Sequence, residues 1–481
     1  MHIGANQLND LVQQTACGLA DAYRRREISP VEIAEATLKR AEAINPELNA
    51  FTLIDRDGAL TAAKASEKRW KTGETLSPID GVPTTIKDIV QLQGYDVRYG
   101  SLVTADISDL ADAPSVERLR RAGAVFIGLT TTPEFGWKAV TDSRRNGVTL
   151  NPWDRTKTPG GSSGGAAVAA ATGAGVLHLG TDGGGSIRIP AAFTGIVGHK
   201  PSFGRVGAYP ASSFGTIAHI GPMARSVQDV ALMLDVMSGR DPRDWTQPPL
   251  EYSDIALKAV DWRGKKIGYW KQPCIGQVQQ SVSDAIETVL RDLELAGAII
   301  AEISLPEQGA LTEIFYRHWY VGAANRLSAI DEHLHGEIDP GFVEAAKCGQ
   351  RYTAVERMQA EIHRARYGAQ MDAMLDTYDY LISPAVAIAP FEAGQNVPLG
   401  GAFQDWIEWA SFSFPINLSQ QPACSVPCGL NENGLPIGLQ IIGARGDDAS
   451  VLSAALTYQY MYPDQFLTSG RKMPDIGQGK C

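Results

Sequence analysis

The sequence predicts an α/β fold: a mixed, mostly parallel central β-sheet covered on both faces by helices. Three observations predict it. Short apolar runs of strand type alternate with helical stretches along the chain, the pattern of a sheet that carries helices on its faces. The 481 residues are 44% hydrophobic and 20% charged, an ordinary globular composition with length enough to bury a substantial core. No internal repeat and no low-complexity tract interrupts the pattern.

The elements follow in order. Leu8, Leu11, Val12 and Thr15 recur at helical spacing and run toward Tyr23. Ser29-Pro30 supplies an N-cap followed by proline at the first helical position, and a helix from Val31 to Ile44 follows. A third helix is expected from Asp57 to Lys71. Val82 to Ile86 then reads as a short strand after a turn, Pro114 to Ala122 as a helix, and Ala124 to Leu129 as an apolar strand. The smooth apolar stretch Ala166 to Leu179 predicts one buried helix. Further strands are expected at Lys266–Tyr269, Ala298–Ile300, Tyr380–Ile382 and Leu439–Ile442. Helices are expected at about Val227–Met237, Val282–Leu295 and Tyr352–Leu375. Residues 239–254, rich in Asp and Pro, read as a surface loop, and residues 470–481 as a loose polar end.

Composition excludes several classes of function. A net charge of −11 disfavours phosphate backbones, and Arg24-Arg25-Arg26 is the one basic block that stands out, so no nucleic-acid partner is expected. Residues 1–6 carry neither a basic nor an apolar leader segment, and 166–179 is too short and too glycine-broken to span a bilayer. The six cysteines are scattered. Cys424 and Cys428 lack the spacing of zinc or thioredoxin motifs, and His333-Leu-His335 reads as solvated surface. A cytoplasmic protein with reduced thiols, no metal and no membrane partner is the expectation.

Chemistry concentrates in two glycine runs, Gly160-Gly161-Ser162-Ser163-Gly164-Gly165 and Asp182-Gly183-Gly184-Gly185-Ser186-Ile187-Arg188. A serine hydroxyl attacks a carbonyl only when a base takes its proton and donors stabilise the oxyanion. The backbone N–H groups of Gly183, Gly184, Gly185 and Ser186 form a candidate oxyanion hole free of side chains. A helix over Ile187 to Phe193 would add its positive end. His178 and His199 are the histidines nearest in sequence, but no carboxylate partner is placed for a triad. Lys87 is the better base: it ends an apolar strand, where burial depresses its pKa and leaves a neutral amine. Where Lys87 does not reach Ser186 directly, Ser162 relays the proton. A phosphate loop is excluded because the Gly-Lys-Ser/Thr ending is absent. Gly160 to Gly164 matches the hydrolase elbow Gly-x-Ser-x-Gly, but the preceding Arg155 to Pro159 is not an apolar strand.

These residues resemble the amidase signature family. The resemblance rests on the two glycine-serine blocks, with the second continuing through Ile189-Pro190-Ala191, on Gly81-Val82-Pro83 leading to Ile86-Lys87-Asp88, and on the C-terminal blocks Ser413 to Leu418, Pro422 to Pro427 and Gly434 to Gln440. It covers roughly residues 8 to 460. It implies one amidase signature domain over 1–481, with a helical part at about 1–75, a catalytic core at 76–240, a variable substrate-side region at 241–400 and the rest of the core at 401–465. It implies Ser186 as acylated nucleophile, Lys87 as base, and Ser162 as bridging serine after a cis peptide. Asp182 and Arg188 pair to hold the loop. The reaction implied is amide hydrolysis through an acyl-enzyme, with no metal or cofactor, on a small-molecule amide. A homodimer is left open.

The family includes the glutamine-hydrolysing component of the tRNA-dependent amidotransferase, which places an acidic residue where this chain has Ala410. Many relatives place asparagine where Thr131 stands. The aromatic run Trp406, Trp409, Phe412 and Phe414 favours an apolar or aryl acyl group, so aryl or alkyl amides, carbamates or short amide oligomers are expected, with glutamine hydrolysis inside an amidotransferase complex the alternative. Thr131, Phe135, Trp137, Phe214 and Trp319 are the candidate pocket residues. Phenylmethylsulfonyl fluoride is expected to modify Ser186, read as an adduct by peptide mass spectrometry. Full activity in a Ser186→Ala protein would end that assignment.

Overall fold

A computed structural model describes residues 5–105, 108, 110–248, 254–468 and 471–474. The strands are β1 (Phe51–Ile54), β2 (Pro83–Lys87), β3 (Val125–Thr130), the short pair β4 (Asp142–Ser143) and β5 (Gly147–Val148), β6 (Leu177–Asp182), β7 (Val197–Lys200), β8 (His219–Ala224), β9 (Lys266–Trp270), β10 (Ile299–Ile303), β11 (Tyr380–Pro384), β12 (Ala423–Leu430) and β13 (Pro436–Ile442). Eleven of them form one sheet in the order β1-β3-β2-β6-β8-β7-β12-β13-β11-β9-β10.

The mixed α/β class is as the sequence indicates, but the parallel share is smaller than expected. Parallel pairing is confined to β3/β2/β6 and β11/β9/β10. The middle of the sheet, from β6 through β8, β7, β12 and β13 to β11, is antiparallel, as is β1 on β3. The physical reason lies in the connections. The helices Pro114–Arg121 and Gln280–Leu295 bridge β2 to β3 and β9 to β10, as parallel neighbours require. A tight turn at Asn431–Gly434 joins β12 to β13 and forces them antiparallel; Asn431 Oδ1 accepts from Leu435 N–H at 2.9 Å and Gly434 takes φ 74°.

Both faces of the sheet are covered. Along β11, Tyr380 and Ile382 pack into one apolar cluster and Leu381 into another, the alternation of a strand buried on two sides. The first cluster continues through the helices Val227–Met237 and Asp448–Met461. The second contains Phe315, Trp319, Trp409 and Phe414.

The local elements follow their cap chemistry. Ser29 accepts from Glu32 N–H while the Glu32 carboxylate takes Ser29 N–H, and the helix runs Pro30–Leu48. The amphipathic stretch read toward Tyr23 is two helices, Ala5–Val12 and Ala16–Arg25, because the Thr15 side chain accepts from Gly18 N–H and restarts the helix. The single buried helix expected over 166–179 is likewise divided. The helix is Gly164–Thr172. Gly173 and Gly175, at φ 74° and 123°, end it, and the remaining apolar residues become β6. The helices Leu311–Ser328 and Pro340–Gln350 have no counterpart among the elements expected from the sequence. The loop at 239–248 is anchored by Arg243, bonded to Asp241 and Glu117; 249–253 and most of 470–481 lie outside the described residues. No helix among the described residues is long and apolar enough to cross a membrane, and the five described cysteines are free.

The alanine-rich helix Gly164–Thr172 is entirely buried, and small side chains let it lie directly under the first strands of the sheet. At Gly165 a Cβ would sit 2.4 Å from both the Ala50 carbonyl oxygen and the Thr131 nitrogen, which hydrogen-bond to each other at 2.9 Å. Gly165→Ala is expected to destabilise the protein by about 1–3 kcal/mol, the usual cost of overpacking a tight site. Urea unfolding measures it, and an unchanged midpoint would contradict the close approach.

Candidate active site

Strand β2 delivers Lys87 to the carboxyl end of the parallel block β3/β2/β6, the end at which open α/β sheets bind ligands. The strand is wholly buried, so the lysine side chain is shut off from solvent. The Lys87 Nζ lies 2.7 Å from Ser162 Oγ, 2.9 Å from Ser163 Oγ and 2.9 Å from Thr181 Oγ1. Burial pushes its pKa well below the ordinary lysine value of 10.5, with the Asp182 charge opposing in part.

Proton accounting assigns roles among the three hydroxyls. Ser163 Oγ donates to the Thr181 carbonyl at 3.2 Å and accepts the Thr181 N–H at 3.2 Å. Its one hydrogen is therefore spent, and toward Lys87 it accepts. A neutral amine has two hydrogens and one lone pair. With the hydrogens on Ser163 and Thr181, the lone pair faces Ser162, the nearest of the three.

The two serine loops are tied together: Ser163 N–H donates to the Ser186 carbonyl at 3.1 Å, and the Gly161–Ser162 peptide is cis. Ser162, Thr181, Gly183 and Ser186 all line one cavity of about 600 Å3. Asp182 shapes the second loop. Its Oδ1 accepts from Gly185 N–H at 2.8 Å and its Oδ2 from Ile187 and Arg188 N–H at 3.2 and 3.4 Å. Two expectations change as a result. The Gly185 N–H is committed to Asp182, so Gly183, Gly184 and Ser186 remain as the candidate oxyanion donors. The helix Arg188–Thr194 begins on the Asp182 carboxylate, so its positive end is directed at that side chain rather than at the cavity.

Asp182 and Arg188 form the pair expected of them, with neither side chain exposed. Burial raises the Asp182 pKa, but the Arg188 charge and hydrogen bonds outweigh it and hold the carboxyl well below its usual range. The histidines nearest in sequence do other work. His178 Nδ1 meets Thr85 Oγ1 at 2.8 Å and burial pushes its pKa down to about 3, while His199 bonds Asp448 at 2.9 Å.

Of the candidate pocket residues, Phe135, Phe214 and Trp319 line the cavity. Phe214 stacks on Trp319 with centroids 3.9 Å apart, and Trp319 lies against Gly183, where a Cβ would meet its ring at 3.0 Å. Thr131 and Trp137 do not line it. Thr131 Oγ1 bonds Thr149 Oγ1 at 2.7 Å beside the Asn49 and Ala50 carbonyls, a structural knot below the site. Trp137 packs on Phe342 and acts through its carbonyl, which accepts from Trp319 Nε1 at 3.0 Å. Trp406, Trp409, Phe412 and Phe414 are core residues; Trp409 stacks on Phe193 and Trp406 lies behind Gly184. Their aromatic character therefore supports the loop and carries no information on the acyl group. Ala410 is buried and absent from the cavity wall.

Sequence reasoning passed over Ser163 and Thr181 as partners of Lys87, although both stand inside the glycine-serine blocks. It also passed over Tyr99, Tyr209 and Arg326, which line the cavity from distant segments without any motif to mark them. No group of three or more metal-ligating side chains occurs among the described residues.

The chain is similar to known proteins along most of its length. A sequence model of the family described as Amidase matches residues 32–452. The chain is 35% identical to an acylamidase of Rhodococcus erythropolis, over 93% of this chain and 95% of that protein. It is 34% identical to a glutamyl-tRNA(Gln) amidotransferase component of Chloroflexus aurantiacus, over 94% and 97%. The crystal structure of a bacterial aryl acylamidase superposes with a TM-score of 0.86 at 29% identity, covering 97% of this chain and 99% of that one. A match along this much of the chain, with a large mixed sheet of the same fold, establishes that the protein belongs to the amidase signature family, hydrolases of the carbon–nitrogen amide bond.

Proposed function

We propose that this protein hydrolyses small-molecule amides through an acyl-enzyme on Ser186, with Lys87 as base and Ser162 as proton relay. The observation that carries the reading is the buried Lys87 Nζ, 2.7 Å from Ser162 Oγ, with Ser162 and Ser186 opening on the same cavity. In the acylation step Ser186 Oγ bonds the carbonyl carbon and its proton passes by way of Ser162 to Lys87. The tetrahedral oxyanion is held by N–H groups of the 183–186 loop. The C–N bond then breaks, and the amine leaves with the proton returned along the same relay. Water repeats the sequence on the ester and frees the acid.

The cavity wall bears on the substrate class. Phe135, Phe214, Trp319, Ile89 and Ile330 give it an apolar lining, which suits aryl or alkyl amides. The similarity to an acylamidase and to an aryl acylamidase supports that choice. A second reading, glutamine hydrolysis for a partner protein, draws on the similarity to the amidotransferase component. Robust turnover of a 4-nitroanilide by the pure chain, with none of glutamine, selects the first; the converse selects the second.

Two further outcomes are expected. Lys87→Ala should lower kcat by about 10^2- to 10^4-fold, the usual worth of a general base, with substrate binding retained. Stopped assays on the purified variant read this, and activity within a few-fold of wild type would remove Lys87 from the mechanism. The pH profile follows from the sign of the Lys87 shift. Only the neutral amine accepts a proton, so kcat/KM should fall as pH drops through the depressed pKa and stay level above it. Activity that climbs steadily to pH 10.5 would mean that Lys87 titrates as an ordinary lysine.

A further inference from the structure

Among the described residues, the cavity wall carries an arginine that the amide chemistry does not use. Arg326 lies near the end of the helix Leu311–Ser328 and lines the same cavity as Ser162 and Ser186. Its guanidinium carbon sits 4.6 Å from the centroid of the Phe135 ring and 5.2 Å from that of Tyr99. These two residues are fixed to each other by the Phe135 N–H donating to the Tyr99 carbonyl at 2.8 Å. Cation–π contact with two rings holds the guanidinium in place without using its N–H donors. Among the described residues, no carboxylate lies within ion-pair distance of Arg326 and its guanidinium donates no hydrogen bond. Asp331 lines the cavity too, but is exposed.

Its position along the helix relates it to the chemistry. Trp319, seven residues earlier and so on the same helix face, lies against Gly183 beside the nucleophile. Two turns of helix place Arg326 roughly 10 Å farther along that face. Val103, Ile330 and Leu334 furnish apolar wall nearby. An arginine held against two aromatic rings, with its fork of donors uncommitted among the described residues, suits a planar anion.

We propose that Arg326 is a specificity residue that binds a carboxylate at the far end of the substrate, so that the preferred amides carry an acidic group separated from the scissile carbonyl by an apolar spacer. The inference rests on the amide-hydrolase reading and adds the charge and reach of the substrate to it.

The test uses matched 4-nitroanilides: alkanoyl anilides against ω-carboxyalkanoyl anilides of equal length, from succinyl through suberoyl. The wild-type protein should prefer the carboxylated member once the spacer is long enough. Arg326→Gln should lose about tenfold to a hundredfold in kcat/KM on that member, chiefly through KM, while its rate on the neutral anilides stays within about twofold. Arg326→Lys should recover part of the loss. An equal loss on neutral and carboxylated substrates, or no preference at any length, overturns the proposal while leaving amide hydrolysis standing. A readout free of turnover separates the two ideas. Calorimetric binding of dicarboxylic acids should be tighter than that of monocarboxylic acids of the same length, and Arg326→Gln should abolish the difference; equal binding to the wild-type protein also overturns it.

Discussion

Asp182 and Arg188 are a carboxylate and a guanidinium with no exposed surface, and the glycine loop that carries Ser186 is built around them. Burying two charges is costly unless every donor and acceptor is used, and here they are. Arg188 sends Nε and Nη2 to Asp182, Nη2 also to Asn417 Oδ1, and Nη1 to the Ser413 carbonyl and Gln440 Oε1. Asp182 takes three backbone N–H groups of its own loop and the Asn417 amide besides. The pair therefore joins the end of β6, the loop that carries Ser186, and the C-terminal segments at 413–417 and 440. Those segments are more than two hundred residues away in sequence, and their arrival fixes the loop that carries Ser186.

The same low-dielectric interior sets the protonation of Lys87. A solvated lysine is charged and cannot act as a base. Surrounded by three hydroxyls and no paired carboxylate, Lys87 is held toward the neutral form, and its donors are satisfied by Ser163 and Thr181. Ser163 thus does two jobs: its oxygen orients the amine, and its N–H holds the Ser186 carbonyl, so that Lys87 and Ser186 share one anchor.

Aromatic side chains divide between support and recognition. Phe315 and Trp406 press on the glycine loop from behind, where the absent side chain of Gly184 makes room for them, and Phe414 packs on Phe315. Phe135, Phe214 and Trp319 face the cavity. Composition does not distinguish the two groups, since a ring serves equally well as core or as wall.

The candidate site was legible in short stretches of sequence. Glycine runs around Ser162 and Ser186 and an apolar strand ending in Lys87 are local patterns, and they mark the proposed nucleophile, relay and base because backbone exposure and burial leave local composition as their trace. The sequence by itself also determined the mixed α/β class and the helices with clear caps, such as Pro30–Leu48. Tertiary structure alone decided what depends on long-range pairing. β8 and β12, with Pro222 and Pro427 inside them, lack a clean strand pattern and are strands because neighbours on both sides pair with them. Strand direction follows from connections, which is why the antiparallel middle was not legible. The cavity wall is the same case: Arg326, Tyr99 and Phe135 meet from three separate segments, and a contact across two hundred residues leaves no periodicity to read. Short motifs thus mark the candidate site, and the packing between them shapes its cavity.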